Sequence, residues 1–354
     1  MSSVAVGDEA TAELEELAEY VDGHSVAFCT SSAWLRAAAR HLPARPVLIT
    51  VRSGGAPVAL AALGVSHHRR ARRIELLGGD LNDYGRFYYD DDRAAAALAE
   101  TVASWVLEGG RWSLSLGQLS SDDAVGRRLA ARLPGATVEP GAPIPQIVGI
   151  GADYRVSRNR RKKLQNATNR IENDGRTWEK VVVDDPAGLE RWLPTLVEVR
   201  RRRDHASGRR SHLDDPAVLA FYETVVRGAV ERGRAAIDLF LVDGQVAGFV
   251  VTMFDGDTHR LYDGRVAEEW QYYRGGMVCD LMAVLRAAEA PGVSTFDWLR
   301  GKTDAKFGNH EIHRVGLRAA SHASITALDE WEGALRRGIK ATVPDALVRR
   351  IVAR

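Results

Sequence analysis

The stretch FDWLRGKTDAKFG, Phe296 to Gly308, starts like a buried strand and then fills with charge. Phe296, Trp298 and Leu299 read as core, and Arg300, Gly301, Lys302, Asp304 and Lys306 follow at once. Asp297 alternates with Phe296 and Trp298 and so faces the other side of the strand. A carboxylate buried there has a raised pKa and can take a proton from a reacting group; the plain alternative is a satisfied structural acid. Asp263, ending another strand, carries the same two readings. Asp83 and Tyr84 stand in a glycine-bounded loop, GGDLNDYGRF, the kind of segment where function tends to sit. A second chemical signal is WQYYRGGMV, which places Arg274, Gly275, Gly276 and Met277 at the start of a helix. Glycine lets backbone approach a ligand closely, and the free N–H groups and dipole of a helix start attract an anion. Each dipole interaction is worth roughly 0.3–1 kcal/mol, so a pyrophosphate needs several donors together. The plain alternative is a glycine-rich turn with a surface arginine.

The elements that must position these residues occur twice. LDDPAVLAFYETVVRGAVERGR is an amphipathic helix with Asp214 or Asp215 as cap and Pro216 in its first turn. AAIDLFLV and QVAGFVVTMF are strands joined by Asp243-Gly244, a tight-hairpin signal. HRLYDG is a third strand, GGMVCDLMAVLRAAEA a helix, and TFDWLRG the next strand. The N-terminal half repeats the order: helix SSAWLRAAARHL, strands in PVLITVRSGGAPVALAALGV and RRIELLGG, helix RAAAALAETVASWVLEGG, strand RWSLSLGQL. The period is far longer than that of solenoid repeats, so the chain reads as two copies of one α/β domain. The copies differ where the glycines stand. The first has YYDDDRAAAAL, whose Asp90, Asp91 and Asp92 cap a helix well and repel phosphate. Only the second copy is therefore expected to bind a phosphate-bearing donor.

Composition narrows the field. The 354 residues are 45% hydrophobic and 27% charged, values of a globular protein, and net charge is +1, so no whole-molecule field points to DNA or a membrane. Two cysteines, Cys29 and Cys279, argue against a disulfide framework and a Cys-based metal site. The N-terminus lacks a signal-peptide pattern and no apolar run reaches spanning length, so the expectation is a cytoplasmic protein without a membrane span. His310, Glu311 and His313 lack metal-ligand spacing, and no metal is expected.

Strand, hairpin, strand, anion-binding turn into a helix, then strand resembles the core of the GNAT acyltransferases. The tandem arrangement is similar to the Fem-type peptidoglycan aminoacyltransferases, and closer still to GNAT-like acetyltransferases grouped with polysaccharide-biosynthesis proteins. SSAWLRAAA, NDYG at Asn82–Gly85, SRNRRKKLQNATNRIENDG and FDWLRGKTDAKFG carry the resemblance. It implies an α/β (α+β) fold of two tandem domains, each a mixed, mainly antiparallel sheet flanked by helices. The expected boundaries are 15–145, 153–325 and a helical tail over 326–354. The implied reaction is acyl transfer from acyl-CoA to an amine of a small-molecule or sugar-linked acceptor. Aminoacyl-tRNA as donor, or a non-catalytic binding role, are the alternatives. Lys306, followed by Phe307-Gly308, looks like the lysine segment of Fem proteins and implies charge stabilisation. Arg274, Gly275, Gly276, Met277, Val250 and Val251 are then the donor contacts. Tyr84, Arg158, Arg161 and Tyr262 are the acceptor contacts, with Asp297 and Asp83 beside Lys306 as catalytic candidates.

Such a reaction needs a base for the amine and hydrogen-bond donors for the oxyanion. The resemblance puts an oxyanion donor on the splayed central strand, somewhere in Gly248–Thr252. The basic run SRNRRKKLQNATNR reads as a helix with Arg158, Arg161 and Lys162 outward, suited to a CoA phosphate, a tRNA backbone, an anionic acceptor or plain solvent. Arg200–Arg203 is a second basic cluster without aromatic interleaving.

Overall fold

The computed structural model describes residues 1–68, 71–301 and 306–322; the tail expected over 326–354, and Lys302 to Ala305, lie outside them. The chain divides into two compact units: Met1–Pro143 with the segment from His313, and Ile144–Ile312.

In the first unit the strands are β1 (Ser2–Val6), β2 (Arg45–Ser53), β3 (Ala56–His68), β4 (Ala71–Leu76), β5 (Tyr88–Tyr89), β6 (Trp112–Ser120) and β7 (Thr137–Pro140). The helices are α1 (Asp8–Glu16), α2 (Ala18–His24), α3 (Ser32–His41), α4 (Asp92–Leu107) and α5 (Ala124–Arg132). Ser31 caps α3, its side chain accepting from Trp34 N–H, as its position before the apolar run predicts. Gly54 and Gly55 take positive φ in the turn between β2 and β3, which is why the Gly-Gly signal is there. Leu98, Val102 and Val106 on one face of α4 are buried in the core with Val47, Ile49 and Leu63 of β2 and β3.

The second unit contains β8 (Ile144–Val148), β9 (Trp178–Val183), β10 (Ala235–Val242), β11 (Gln245–Asp255), β12 (Thr258–Val266), β13 (Thr295–Asp297) and β14 (His310–Ile312). Its helices are α6 (Arg158–Asn173), α7 (Pro186–Ala206), α8 (Pro216–Glu231) and α9 (Gly275–Glu289). The last strand of the described chain, β15 (Arg314–Ala320), returns to the first unit's sheet.

The two sheets follow one plan. The first runs β1-β2-β3-β4-β6-β15-β7, with β5 on β3, and the second runs β9-β10-β11-β12-β13-β8-β14. Each has a single parallel pair in the same place, β4 with β6 and β12 with β13; the rest is antiparallel. This is the mixed α/β fold that the repeated element order implies. One aspect is not in that order. β7 ends at Pro140 and β8 begins at Ile144, yet they belong to different sheets; β14 ends at Ile312 and β15 begins at Arg314, and they too part. Each sheet is thus completed by an inner strand that directly follows the other sheet's edge strand.

The strand expected at TFDWLRG is shorter than the apolar pattern suggests. Pairing stops at Asp297, and Leu299 and Gly301 adopt φ of 55° and 93°. Trp298 and Leu299 are buried all the same, at 1% and 3% exposure, so they are core residues of a bend.

Candidate active site

The short β13 creates an opening in the second sheet. β12 and β13 pair only from Thr258–Arg260 to Thr295–Asp297. Past that point the N–H of Trp298 donates to Pro145 O, and the chain leaves β12. From Leu261 to Val266, β12 keeps β11 on one side and has no strand on the other among the described residues. A register shift opposite Val251 and Thr252 leaves Tyr262 without a counterpart on β11, the mark of a bulge that turns the strand. Val250 and Val251 pair with β10 on one side and β12 on the other and are fully buried. Their ladder groups are therefore taken. The strand whose backbone is open to a ligand is β12, not the one expected to carry the oxyanion donor at Gly248–Thr252.

The N-terminus of α9 follows β12 after a short 3-10 helix, Glu268–Tyr273. Arg274 stands at its cap position in the left-handed region, φ 56°, ψ 35°, and no side chain caps the helix. A left-handed arginine is an uncommon conformation and leaves the first N–H groups of the helix to other partners. The glycines have a different reason from the one their sequence suggests. A Cβ on Gly275 would lie 3.1 Å from Ala247 O, and one on Gly276 would lie 2.5 Å from Cγ2 of Val266. Gly248 faces them from β11, where a Cβ would meet the Gly275 carbonyl carbon and Cys279 Sγ at 3.2 Å. Three glycines let the helix start lie directly on the sheet. Met277 follows, half-buried. The matching helix of the first unit is closed: Asp91 accepts from Ala94 N–H at 2.7 Å and caps α4. The contrast read from YYDDDR and YYRGG is thus one of capped against uncapped helix starts.

Lys306 is fixed at the end of β13. Its Nζ donates to Arg300 O at 2.8 Å and to Leu299 O at 3.2 Å, the two carbonyls of the bend. Asp297 is fully buried and committed elsewhere: Arg260 Nη1 and Gln146 Nε2 donate to one of its oxygens, and Leu299 N–H to the other. Arg260 is itself shared with Asp255 at 2.7 Å. Such an ion pair ties β8, β12 and β13 together where they part.

A carboxyl near Lys306 with strongly altered acidity is Asp280, one and a half turns into α9. Burial raises its pKa to about 7, and the positive charge of Lys306 pulls it back down. It retains some open surface, and no hydrogen bond or ion pair engages it among the described residues. Sequence reading passed it over because it stands inside GGMVCDLMAVL, where a lone acid in an apolar helix was the only signal.

Other candidates are placed as follows. Asp263 is buried in a network on the α7–α8 side: Arg200 donates to it at 2.6 Å, Tyr222 Oη at 3.2 Å, and Arg265 at 3.3 Å. Tyr262 is half-buried with its ring stacked on Tyr222, centroids 5.9 Å apart. Burial and then Asp263 push the Tyr222 phenol well above its usual range. The run Arg200–Arg203 accordingly is no open basic patch: Arg201 donates to Leu213 O and Arg202 pairs with Glu198 at 3.1 Å. Arg158 and Arg161 are exposed on the first turn of α6. In the first unit Asp83 is half-buried, while Tyr84 is 2% exposed beneath the Arg314 guanidinium, 4.4 Å from its ring centroid. The structure therefore brings Lys306, Asp297, Arg274, Gly275, Gly276, Met277, Val250, Val251 and Tyr262 into one unit and places Asp83 and Tyr84 in the other. Among the described residues no group of three or more His, Cys, Asp or Glu could hold a metal ion, and no helix is long and apolar enough to cross a membrane.

Residues 158–306 match the family model described as the acetyltransferase (GNAT) domain. The second unit carries that match. The match runs from the first residue of α6 to Lys306 and so contains the opening, the uncapped helix and the lysine. Over its whole length the chain is similar in fold to Fem-type and tandem GNAT-like proteins. FemX superimposes with a TM-score of 0.59 at 12% identity, over 89% of this chain and 98% of that one. The C-terminal domain of an Agrobacterium fabrum protein assigned as a lysylphosphatidylglycerol synthetase gives 0.56 at 12%, over 92% and 96%. L-PGS from Bacillus licheniformis gives 0.54 at 14%, over 97% of both chains. At these identities the likeness is one of fold alone. No curated protein sequence matches the chain.

Proposed function

We propose that the GNAT domain transfers an acyl group from acyl-CoA to an amine of a small-molecule or sugar-linked acceptor. One observation carries this reading: an uncapped helix start, α9, follows a strand, β12, whose outer edge is released by the early end of β13. Both features suit an extended donor bearing a pyrophosphate, since backbone N–H groups take the phosphates and the free strand edge takes amide groups. Arg274 adds a positive charge at the cap, and Gly275, Gly276 and Met277 supply the N–H groups. Val250 and Val251 support β12 from behind.

Bound acyl-CoA supplies an activated thioester. The protein's part is to orient it, exclude water and move one proton. A neutral amine is needed for attack, so a base must take its proton. Asp280 fits that task through its enclosed, unbonded carboxyl and its raised pKa of about 7. Lys306, held by two carbonyls, presents its charge beside that carboxyl and stabilises the negative charge that develops on acyl transfer. Asp297 holds the bend by its bonds to Arg260 and Gln146 and takes no proton. Arg158, Arg161 and Tyr262 are assigned to the acceptor side, and the first unit, which carries Asp83 and Tyr84, to a scaffold without a donor of its own. We place this activity in the cytoplasm.

Aminoacyl-tRNA is the second reading for the donor, favoured by the fold likeness to FemX and by the exposed cations Arg158, Arg161, Lys162 and Lys163 of α6. Melting the protein with saturating acetyl-CoA, 3′-dephospho-CoA and charged tRNA distinguishes them. A shift with acetyl-CoA supports the first donor. A shift with charged tRNA alone, steeply lost with salt, replaces it by the second.

A further inference from the structure

A cavity of about 490 Å³ lies in the second unit, away from the helix start just described. It is bounded by the 152–156 loop, α6, β9 and the outer face of α9. On α9 its lining begins at Leu281, six residues past Gly275 and so about 9 Å further along the helix axis. The floor is apolar: Val156, Leu164, Leu281, Leu285 and Ala288, with the Trp178 ring at one end. Its size is that of an ordinary small-molecule site.

The cations around it are not neutralised by acids among the described residues, and Lys180 Nζ lies 5.7 Å from the Trp178 ring centroid. Arg161 of α6 and Lys180 of β9 line the cavity and make no ion pair among the described residues. Arg155 donates only to the carbonyls of Ala152 and Tyr154. Arg158, Lys162 and Lys163, exposed on the same end of α6, are likewise without acidic partners among the described residues. Two acids also line the cavity. Glu172 is engaged by the Trp178 indole N–H at 2.9 Å, and Glu289 is exposed at the end of α9. Positive charge therefore exceeds negative charge at the rim. Nucleic-acid phosphate alone would use the cations and leave the apolar floor unfilled.

We infer that this cavity binds an amphipathic anion, its apolar body on Leu164, Leu281 and Leu285 and its carboxylate or phosphate at Arg161 and Lys180. The inference shares Arg161 with the acceptor side proposed above but needs neither donor nor acyl transfer, and it is tested by binding alone.

The probes are n-octyl phosphate and octanoate, with octylammonium and octyl glucoside as controls, each titrated calorimetrically into the full chain below its micelle-forming concentration. Saturable one-to-one binding of the two anions is expected, with the cation excluded. Leu285→Trp fills the floor and Arg161→Glu reverses the rim; each is expected to weaken the anions by about tenfold or more while the unliganded melting temperature holds. If either variant fails to fold, Lys180→Glu, at an exposed position of an edge strand, reads the same rim charge. Equal binding of octylammonium, no saturation with either anion, or full binding by Leu285→Trp overturns the inference. So does binding of uncharged tRNA, without the alkyl anions, that Arg161→Glu abolishes, which marks a nucleic-acid face instead. Separate sources of the head group are told apart by comparing octanoate with octyl phosphate.

Discussion

A Cβ on Gly276 would sit 2.5 Å from Cγ2 of Val266, so the first turn of α9 can lie where it does only with glycine there. Valine is stiff at χ1 and cannot swing clear. Gly276→Ala is therefore expected to push the helix start off β12 and cost about 1–3 kcal/mol, the usual range for overpacking. The double variant with Val266→Ala should recover much of that loss. Chemical denaturation of the four proteins of this cycle measures it. Full stability of Gly276→Ala would show that the contact is not the reason for the glycine.

Arg274→Glu leaves the fold alone, since the side chain is exposed and caps nothing. It places a negative charge at the proposed donor site. Acetyl-CoA at 100 times its dissociation constant stabilises a protein by ~2.7 kcal/mol. That shift is expected in the wild-type protein and absent in Arg274→Glu, with equal melting temperatures of the two free proteins.

Asp280 gives a pH dependence with a definite sign. Its carboxyl is raised from 3.8 to about 7, so between those values the folded protein holds a proton that the unfolded chain releases. Stability therefore falls as pH rises through this window, by up to ~1.4 kcal/mol per unit, and levels off above it. Asp280→Asn should remove that slope and be more stable than wild type at pH 8. Acyl transfer should run the other way, rising with pH to a plateau above about 7, and Asp280→Asn should lose that rise. Unfolding curves across pH 4–9 (a plain thermal series suffices) test the first half without any substrate.

Asp297→Asn separates holding from proton transfer. The change leaves the Arg260 guanidinium buried with a weakened partner, and breaking a buried pair typically costs about 3–5 kcal/mol. The expected result is a large loss of stability with an unchanged pH profile of the residual activity. A profile that loses its acidic limb would return Asp297 to the role of base.

How much of this is legible in the residues differs by element. α8 is announced by Asp215 and Pro216, and Asp215 does accept from Ala217 N–H. Asp243-Gly244 makes its hairpin with φ of 49° and 75°. These are local signals, settled within one turn of chain. β8 and β14 are invisible to that kind of reading, because β8 pairs with β13, whose Phe296 meets Ile147 across most of a unit's length. The opening at β13 is hidden for the same reason: Phe296, Trp298 and Leu299 are all core, and only tertiary pairing decides that the strand stops at Asp297. Lys306 was found through its neighbours in sequence. Asp280 was missed since an apolar helix with one acid looks the same whether that acid meets solvent or Lys306.

The reciprocal placement of β8 and β15 has a consequence for how such a chain can be built or divided. A gene fragment encoding only the first copy would lack the strand that stands between β6 and β7, and the second copy cut at β9 would lack the one between β13 and β14. Two separate copies could complete their sheets only by trading these strands as partners in a dimer, at a concentration-dependent cost. Fused in tandem, each donated strand is tethered to its acceptor sheet at high effective concentration. The duplication is then a dimer written into one polypeptide, and recombination at the midpoint of the gene would break both halves together.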